Sequence, residues 1–306
     1  MHIDKENWKF VLWGHKSHYN TFYYIHYAYF RTFKHLGYKV YWFDDNDNVS
    51  GFDFSNTLFI TEGQVDGKIP MRDDCFYVLH NCNKERYKDL FEKNRCTHMQ
   101  TYTDSVLQYN YTKLEDCIYA DYEGKCLYFP WATDLLPFEI EQNKPSIPFN
   151  KDSKSVHWVG TIGGEYFGNI DQVTPFINAC KENGIDFTNR MLVSMEENIR
   201  LVKESYMAPT IVGKWQGEVG YIACRIFKNI SYGQFGITSS PRINELFQRK
   251  IVFNTDAHQL FYDAKNKLEN LQLHELHSLM DFVRDNHTFI NRINTVIDFV
   301  NKLLVG

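Results

Sequence analysis

The chain has 306 residues, 43% hydrophobic and 23% charged, a globular composition with room for two domains that each bury a core. A formal net charge of −5 argues against a nucleic-acid-binding surface as the main function and leaves room only for a local basic site. The seven cysteines, Cys75, Cys82, Cys96, Cys117, Cys126, Cys180 and Cys224, are odd in number with no C-x-x-C pair, which fits a reduced intracellular protein better than a disulfide framework or zinc ribbon.

From the N-terminus, residues 1–9 are polar and only four apolar or aromatic residues follow, so neither a signal peptide nor a membrane anchor is expected. No later apolar run approaches bilayer length, and the expectation is a soluble chain in the cytoplasm, the host's if the source is viral. Aromatic residues reach 16% and are spread throughout, a bias that AT-rich coding DNA produces and that locates no site.

Phe10-Val11-Leu12-Trp13 reads as a buried strand, residues 21–36 as a helix closed by Gly37, and residues 38–43 as the next strand. Further strands are expected at 57–61, 75–80, 97–101 and 126–129, with a polar helix at 84–93. Alternation of this kind implies a largely parallel sheet covered by helices. Pro130, Pro137, Pro145 and Pro148 then restrict the backbone to extended or turn conformations, which marks the linker.

A second α/β series opens with the strand Val156-His157-Trp158-Val159 entering the turn Gly160-Thr161-Ile162-Gly163-Gly164, with a helix expected over 171–183. Strands follow at 190–194 and 209–212, then a short helix carrying Arg225 and Lys228, strands at 235–238 and 251–254, and helices at 257–268 and 288–304. The expected domains are residues 1–133 and 155–285, with a linker at 134–154 and a C-terminal helix at 286–306 that packs back toward the first domain. Two consecutive domains of this type would create a cleft between their strand ends, a common place for a ligand.

Arg225 and Lys228 stand one helical turn apart before Gly233, and a strand ending in Thr238, Ser239 and Ser240 follows. Such a cation pair with nearby hydroxyls suits a diphosphate; an exposed amphipathic turn with solvated charges is the plain alternative. Gly160, Thr161, Gly163 and Gly164 could let backbone approach a phosphate without Cβ obstruction, although this is not the G-x-G-x-x-G fingerprint of a dinucleotide oxidoreductase and a structural βα turn would look the same. Asp44-Asp45-Asn46-Asp47 contains the D-x-D spacing that could hold a divalent cation, but it follows only the second strand and is read as a solvated turn, so no metal is expected.

Cys224-Arg225-Ile226-Phe227-Lys228-Asn229-Ile230-Ser231-Tyr232-Gly233, and Ser240 to Phe247 after it, resemble the donor-binding half of GT-B glycosyltransferases, in particular the exostosin-type and fucosyltransferase-type segment. The resemblance implies an α/β fold of two Rossmann-like domains facing across a cleft, and a basic residue at the position of Arg225 that binds the donor diphosphate. Many GT-B enzymes carry a glutamate five residues before the glycine; here that position is Lys228, which favours inversion over retention.

Inversion requires a base on the acceptor side, and Glu62, His15 and His80, each at or just after the end of an expected strand, are the candidates. Each could equally cap a turn or satisfy a buried hydrogen bond. The chain is thus read as a metal-independent glycosyltransferase using a UDP- or GDP-linked sugar as co-substrate, with no other cofactor. Arg225 and Lys228 would stabilise the leaving group, with Gly163, Gly164, Tyr232 and Ser239 shaping the donor site. The expected partners are the nucleotide sugar and a glycan or glycoconjugate acceptor, not nucleic acid. A nucleotide-sugar epimerase of the same fold, and a non-catalytic glycan-binding protein, are the competing readings.

Overall fold

The computed structural model describes residues 2–18, 20–63, 65–102, 111–164 and 166–305. The chain divides into two compact units, Met1–Phe129 with Phe289–Gly306, and Pro130–Thr288.

The first unit is built on an eight-stranded sheet. Strands β1 (Lys9–Trp13), β2 (Lys39–Phe43), β3 (Thr57–Glu62), β4 (Phe76–His80), β5 (Cys96–Gln100), β6 (Thr112–Glu115), β7 (Ile118–Asp121) and β8 (Cys126–Tyr128) lie in the order β2-β1-β3-β4-β5-β8-β7-β6. The six strands from β2 to β8 in that order are parallel, and β7 runs antiparallel to both of its neighbours. Every residue of β3 and β4 is buried, as expected of central parallel strands covered on both faces. Helix α1 (Thr21–His35) starts at Asn20, whose side-chain oxygen accepts from Tyr23 N, and a short α2 (Lys88–Glu92) follows β4. At the end of the chain a long helix, Phe289–Val305, joins this unit, and its Phe289 ring meets Tyr29 of α1 edge-on at 4.7 Å.

In the second unit α3 (Pro137–Asn143) occupies part of the proline-rich stretch read as linker. Pro137 sits in the first helical turn, where a missing N–H costs nothing. Strand β9 (Ser155–Val159) leads into α4 (Ile170–Glu182) and pairs in parallel with β10 (Asp186–Arg190). The strand expected at 190–194 is a correction: β10 ends at Arg190, Met191 and Leu192 are exposed, and Ser194 caps α5 (Met195–Glu204). Residues 205–210 run on the other side of β9. Tyr206 N donates to Ser155 O, and Thr210 N donates to Ile237 O of β11 (Ile237–Thr238), which pairs with β12 (Val252–Phe253). Helices α6 (Lys214–Glu218), α7 (Arg225–Ser231), α8 (Pro241–Leu246), α9 (Ala257–Glu269) and α10 (Leu273–Asn286) complete the unit, and the terminal helix above is α11.

The parallel order β10, β9, residues 205–210, β11, β12 reverses direction beside β9. That is the switch point at which open α/β sheets leave a crevice beyond their strand ends. Among the described residues no helix is long and apolar enough to cross a membrane. The seven cysteines form no disulfide.

Candidate active site

At the end of β9 the guanidinium carbon of Arg225 lies 3.9 Å from the centroid of the Trp158 ring. Gly160 makes room for it. Its φ is +120°, and a Cβ there would stand 2.7 Å from Arg225 Nη2. Two of the residues expected at a donor site, Gly160 and Arg225, are thus in contact. Burial pushes the Arg225 guanidinium down to about 10, so it stays protonated at neutral pH while having lost part of its hydration. Among the described residues no carboxylate forms an ion pair with it.

Lys228 follows on the same helix. Burial lowers its ammonium, opposed by Cys224 and Asp134. Tyr232, the C-cap of α7, is fully buried and donates its hydroxyl to Asp134 Oδ1 at 2.6 Å, while Ser231 Oγ lies 2.7 Å from Thr133 Oγ1. Tyr232 therefore shapes the region by fixing the end of the helix that carries the cations.

The glycine-rich loop folds back on itself. Gly163 O accepts from both Asn169 N and Ile170 N at 2.9 Å, and Gly163 N donates to Asn169 Oδ1 at 3.3 Å, so both of its backbone groups are used inside the loop. Gly168 packs against the loop carbonyls, and a Cβ on Gly213 would stand 2.2 Å from Gly168 O, so backbone meets backbone there. Thr161 and Gly164 are exposed at the loop surface. Ser239 joins the same neighbourhood from β11: its Oγ accepts from Val212 N at 3.3 Å, one residue before Gly213. Two exposed rings, Tyr166 and Phe167, extend from the loop toward Trp215 of α6, with Phe167 and Trp215 centroids 4.8 Å apart. The hollow containing Lys154 and Lys265 borders the beginnings of β9 and β10, the opposite edge of the sheet.

In the first unit the three base candidates come together. Glu62 and His80 are register partners at the ends of β3 and β4, and His15 follows β1 on the same edge. His15 Nε2 is 3.0 Å from Glu62 Oε2, and both side chains are 1% exposed. His80 is buried, which pushes its imidazole down to about 4 rather than the near-neutral value expected from the sequence. The aspartates of the D-x-D stretch are tied into this edge. Asp44 Oδ2 accepts from Lys16 N, Asp45 Oδ1 accepts from Trp13 Nε1 and Lys68 N, and Asp47 pairs with Lys16 Nζ.

Sequence reasoning did not single out Trp158, whose one signal is an aromatic residue two positions before the loop glycine. Asn20 and the exposed His18, neither of them among the base candidates, lie next to His15 in space.

Parallel α/β units with a ligand crevice at the strand ends are the architecture of the GT-B fold, and the chain has that fold. Among the solved structures it matches are three of alpha-glucosyltransferase. One is a complex with UDP and a 13-mer DNA containing a central A:G mismatch, at 10% identity and TM-score 0.60, over 96% of this chain and 99% of that one. Another, a complex with UDP, matches at 10% identity and TM-score 0.59 over 96% and 99%. A third, with UDP and a 13-mer DNA containing an HMU base, matches at 9% identity and TM-score 0.56 over 95% and 99%. No protein-family model matches the chain, and no curated protein matches it significantly. The exostosin-type and fucosyltransferase-type likeness rests on the residues around Arg225 alone.

Proposed function

We propose that the protein is a glycosyltransferase that moves a hexose from a UDP-linked donor to a hydroxyl acceptor. The observation that carries this reading is Arg225: a partly dehydrated guanidinium seated on Trp158 and Gly160 at the switch-point crevice, with no carboxylate ion-paired to it among the described residues. A diphosphate supplies the missing charge in bidentate geometry, and Lys228 adds a second cation. UDP is favoured over GDP because the matched alpha-glucosyltransferases are complexes with UDP. Leaving-group charge falls to these cations rather than to a divalent ion, so the reaction is metal-independent.

Calorimetry with UDP and GDP, followed by a hydrolysis screen across UDP-sugars, tests the donor. Selective UDP binding and release of UDP support the reading, and an absence of nucleotide binding overturns it. Rearranged nucleotide sugar formed without an acceptor would make the protein an epimerase, and glycan binding without any nucleotide requirement would make it a lectin.

For the acceptor, the net charge of −5 favours a glycan hydroxyl. A nucleic-acid acceptor is the second reading. It is favoured by the 13-mer DNA in two of the matched structures and by the exposed rings of Tyr166 and Phe167, which offer stacking surface to an unstacked base. Labelled UDP-sugar offered to glycans and to DNA containing HMU separates the two. Lys228 in place of the glutamate supports inversion. Proton NMR of the first product reads the outcome, and an α-product from an α-linked donor would establish retention instead.

A further inference from the structure

The second unit has a hollow at the opposite edge of its sheet from Arg225, where β9 and β10 begin. Three lysines line it. Lys151 and Lys154 belong to the segment leading into β9, and Lys265 to α9. Among the described residues none of the three is ion-paired with a carboxylate, whereas Lys144 and Lys267, close by in sequence, pair with Glu141 at 2.8 Å and Glu275 at 2.6 Å.

Lys265 is half-buried and held in place. Asn183 Nδ2 donates to Ala179 O at 2.9 Å, which turns Asn183 Oδ1 toward Lys265 Nζ at 3.1 Å, so that contact uses one ammonium proton and leaves two. Two rings, Phe149 and Tyr206, form another part of the wall, edge to face with centroids 5.0 Å apart. The Tyr206 hydroxyl has no hydrogen-bond partner among the described residues. Burial, and after it the Glu269 carboxylate, holds this phenol above its ordinary value, so the hydroxyl keeps a proton to donate.

We propose that this hollow binds the phosphomonoester of a single sugar ring, apart from the donor crevice. Three lysines against Glu269 leave a surplus of positive charge in a chain whose formal net charge is −5. That surplus suits a phosphate monoester, which carries about −1.5 to −2 near neutral pH. Phe149 and Tyr206 offer ring faces to the apolar side of a sugar, and Glu269 accepts from a sugar hydroxyl. The size agrees: the hollow holds about 210 Å³, below the roughly 300–1,000 Å³ of pockets for drug-sized ligands, so one ring and a phosphate fit where a nucleotide sugar does not. The five residues of β9 put roughly 15 Å between Lys154 and the end of the strand under Arg225, too far for the two to hold one phosphate. The inference stands independently of the glycosyl-transfer reading.

Calorimetry with glucose 6-phosphate, glucose and inorganic phosphate tests it. Glucose 6-phosphate is expected to bind the wild-type chain about 10-fold or more tighter than either fragment, with saturating UDP present or absent. The double variant Lys154→Ala with Lys265→Ala should lose about 10-fold or more of that affinity and keep wild-type affinity for UDP, while Arg225→Ala should bind glucose 6-phosphate as the wild type does. No binding of glucose 6-phosphate overturns the proposal and leaves the UDP reading untouched. Binding that Arg225→Ala loses and the lysine double variant keeps also overturns it, by placing the ligand in the donor crevice. Inorganic phosphate binding as tightly as glucose 6-phosphate removes the sugar from the assignment and overturns it as stated.

Discussion

Arg225 rests on the face of Trp158, its guanidinium carbon 3.9 Å from the ring centroid, and this contact joins a helix in the middle of the second unit to the strand that opens its sheet. The indole face attracts the cation without neutralising it, so the guanidinium edge remains able to donate to an anion. Arg225→Ala is expected to weaken UDP binding about 10- to 100-fold, since hydrogen bonds to charged groups contribute about 1.5–3 kcal/mol. Arg225→Lys should recover only part, because an ammonium lacks the bidentate fork. Wild-type affinity in folded Arg225→Ala, measured by calorimetry, removes Arg225 from the site.

Gly160→Ala tests the seat of that cation without touching its charge. The new Cβ would meet Arg225 Nη2 at 2.7 Å from a backbone with φ +120°, a conformation that costs an alanine about 1–3 kcal/mol. The variant should be less stable to urea and should bind UDP more weakly. Unchanged UDP affinity would show that Arg225 binds from a different position.

Much of this was legible before the structure. The strand, helix and strand at residues 9–43 announce themselves through apolar runs punctuated by Gly14 and Gly37, and β3 and β4 through short apolar runs that the structure buries along their whole length. The hairpin of β6 and β7 was not legible, because Thr-Lys-Leu-Glu has no apolar alternation and its pairing is set by the sheet edge it meets. The Met191-Leu192-Val193 run looked like a strand, yet it is a turn with Leu192 at φ +55°, which no periodicity reveals. At the site, the spacing of Arg225 and Lys228 was readable because it is local. The contacts of Arg225 with Trp158 and of His15 with Glu62 join residues far apart in sequence and depend on strand order.

Tyr232→Phe separates shaping from binding. The hydroxyl donates to Asp134 Oδ1 in a buried setting, and its removal leaves that carboxylate short of a donor. A stability loss of about 1–3 kcal/mol is expected, with UDP affinity within about twofold of wild type. A large loss of UDP affinity at unchanged stability would instead place the hydroxyl on the ligand.

Metal removal should leave turnover intact. Asp45 accepts from Trp13 Nε1 and Lys68 N, and Asp47 pairs with Lys16, so these carboxylates serve the loop around β1 and β2. Asp45→Asn is expected to lower the melting temperature by a few degrees, roughly 1 kcal/mol, while retaining most UDP-sugar turnover. Loss of turnover in EDTA that a divalent ion restores would identify a metal-dependent mechanism.

Acid should destabilise the first unit through two buried histidines. His26 and His80 are 3% and 5% exposed, and burial pushes each imidazole down to about 4, below the ordinary value near 6.5. Between those values the unfolded chain binds protons that the folded one refuses, so unfolding free energy rises with pH across this window. Their contribution is therefore fully present above about pH 6.5 and is lost as pH falls toward 4. The slope inside the window is on the order of 1.4 kcal/mol per pH unit for each histidine. Urea unfolding between pH 7 and pH 5 should show a loss of about 2–4 kcal/mol from the pair. His80→Leu should lower that slope by about one proton, because the apolar side chain removes one of the groups that charge on unfolding, whereas an unchanged slope would show that His80 is already protonated in the folded protein.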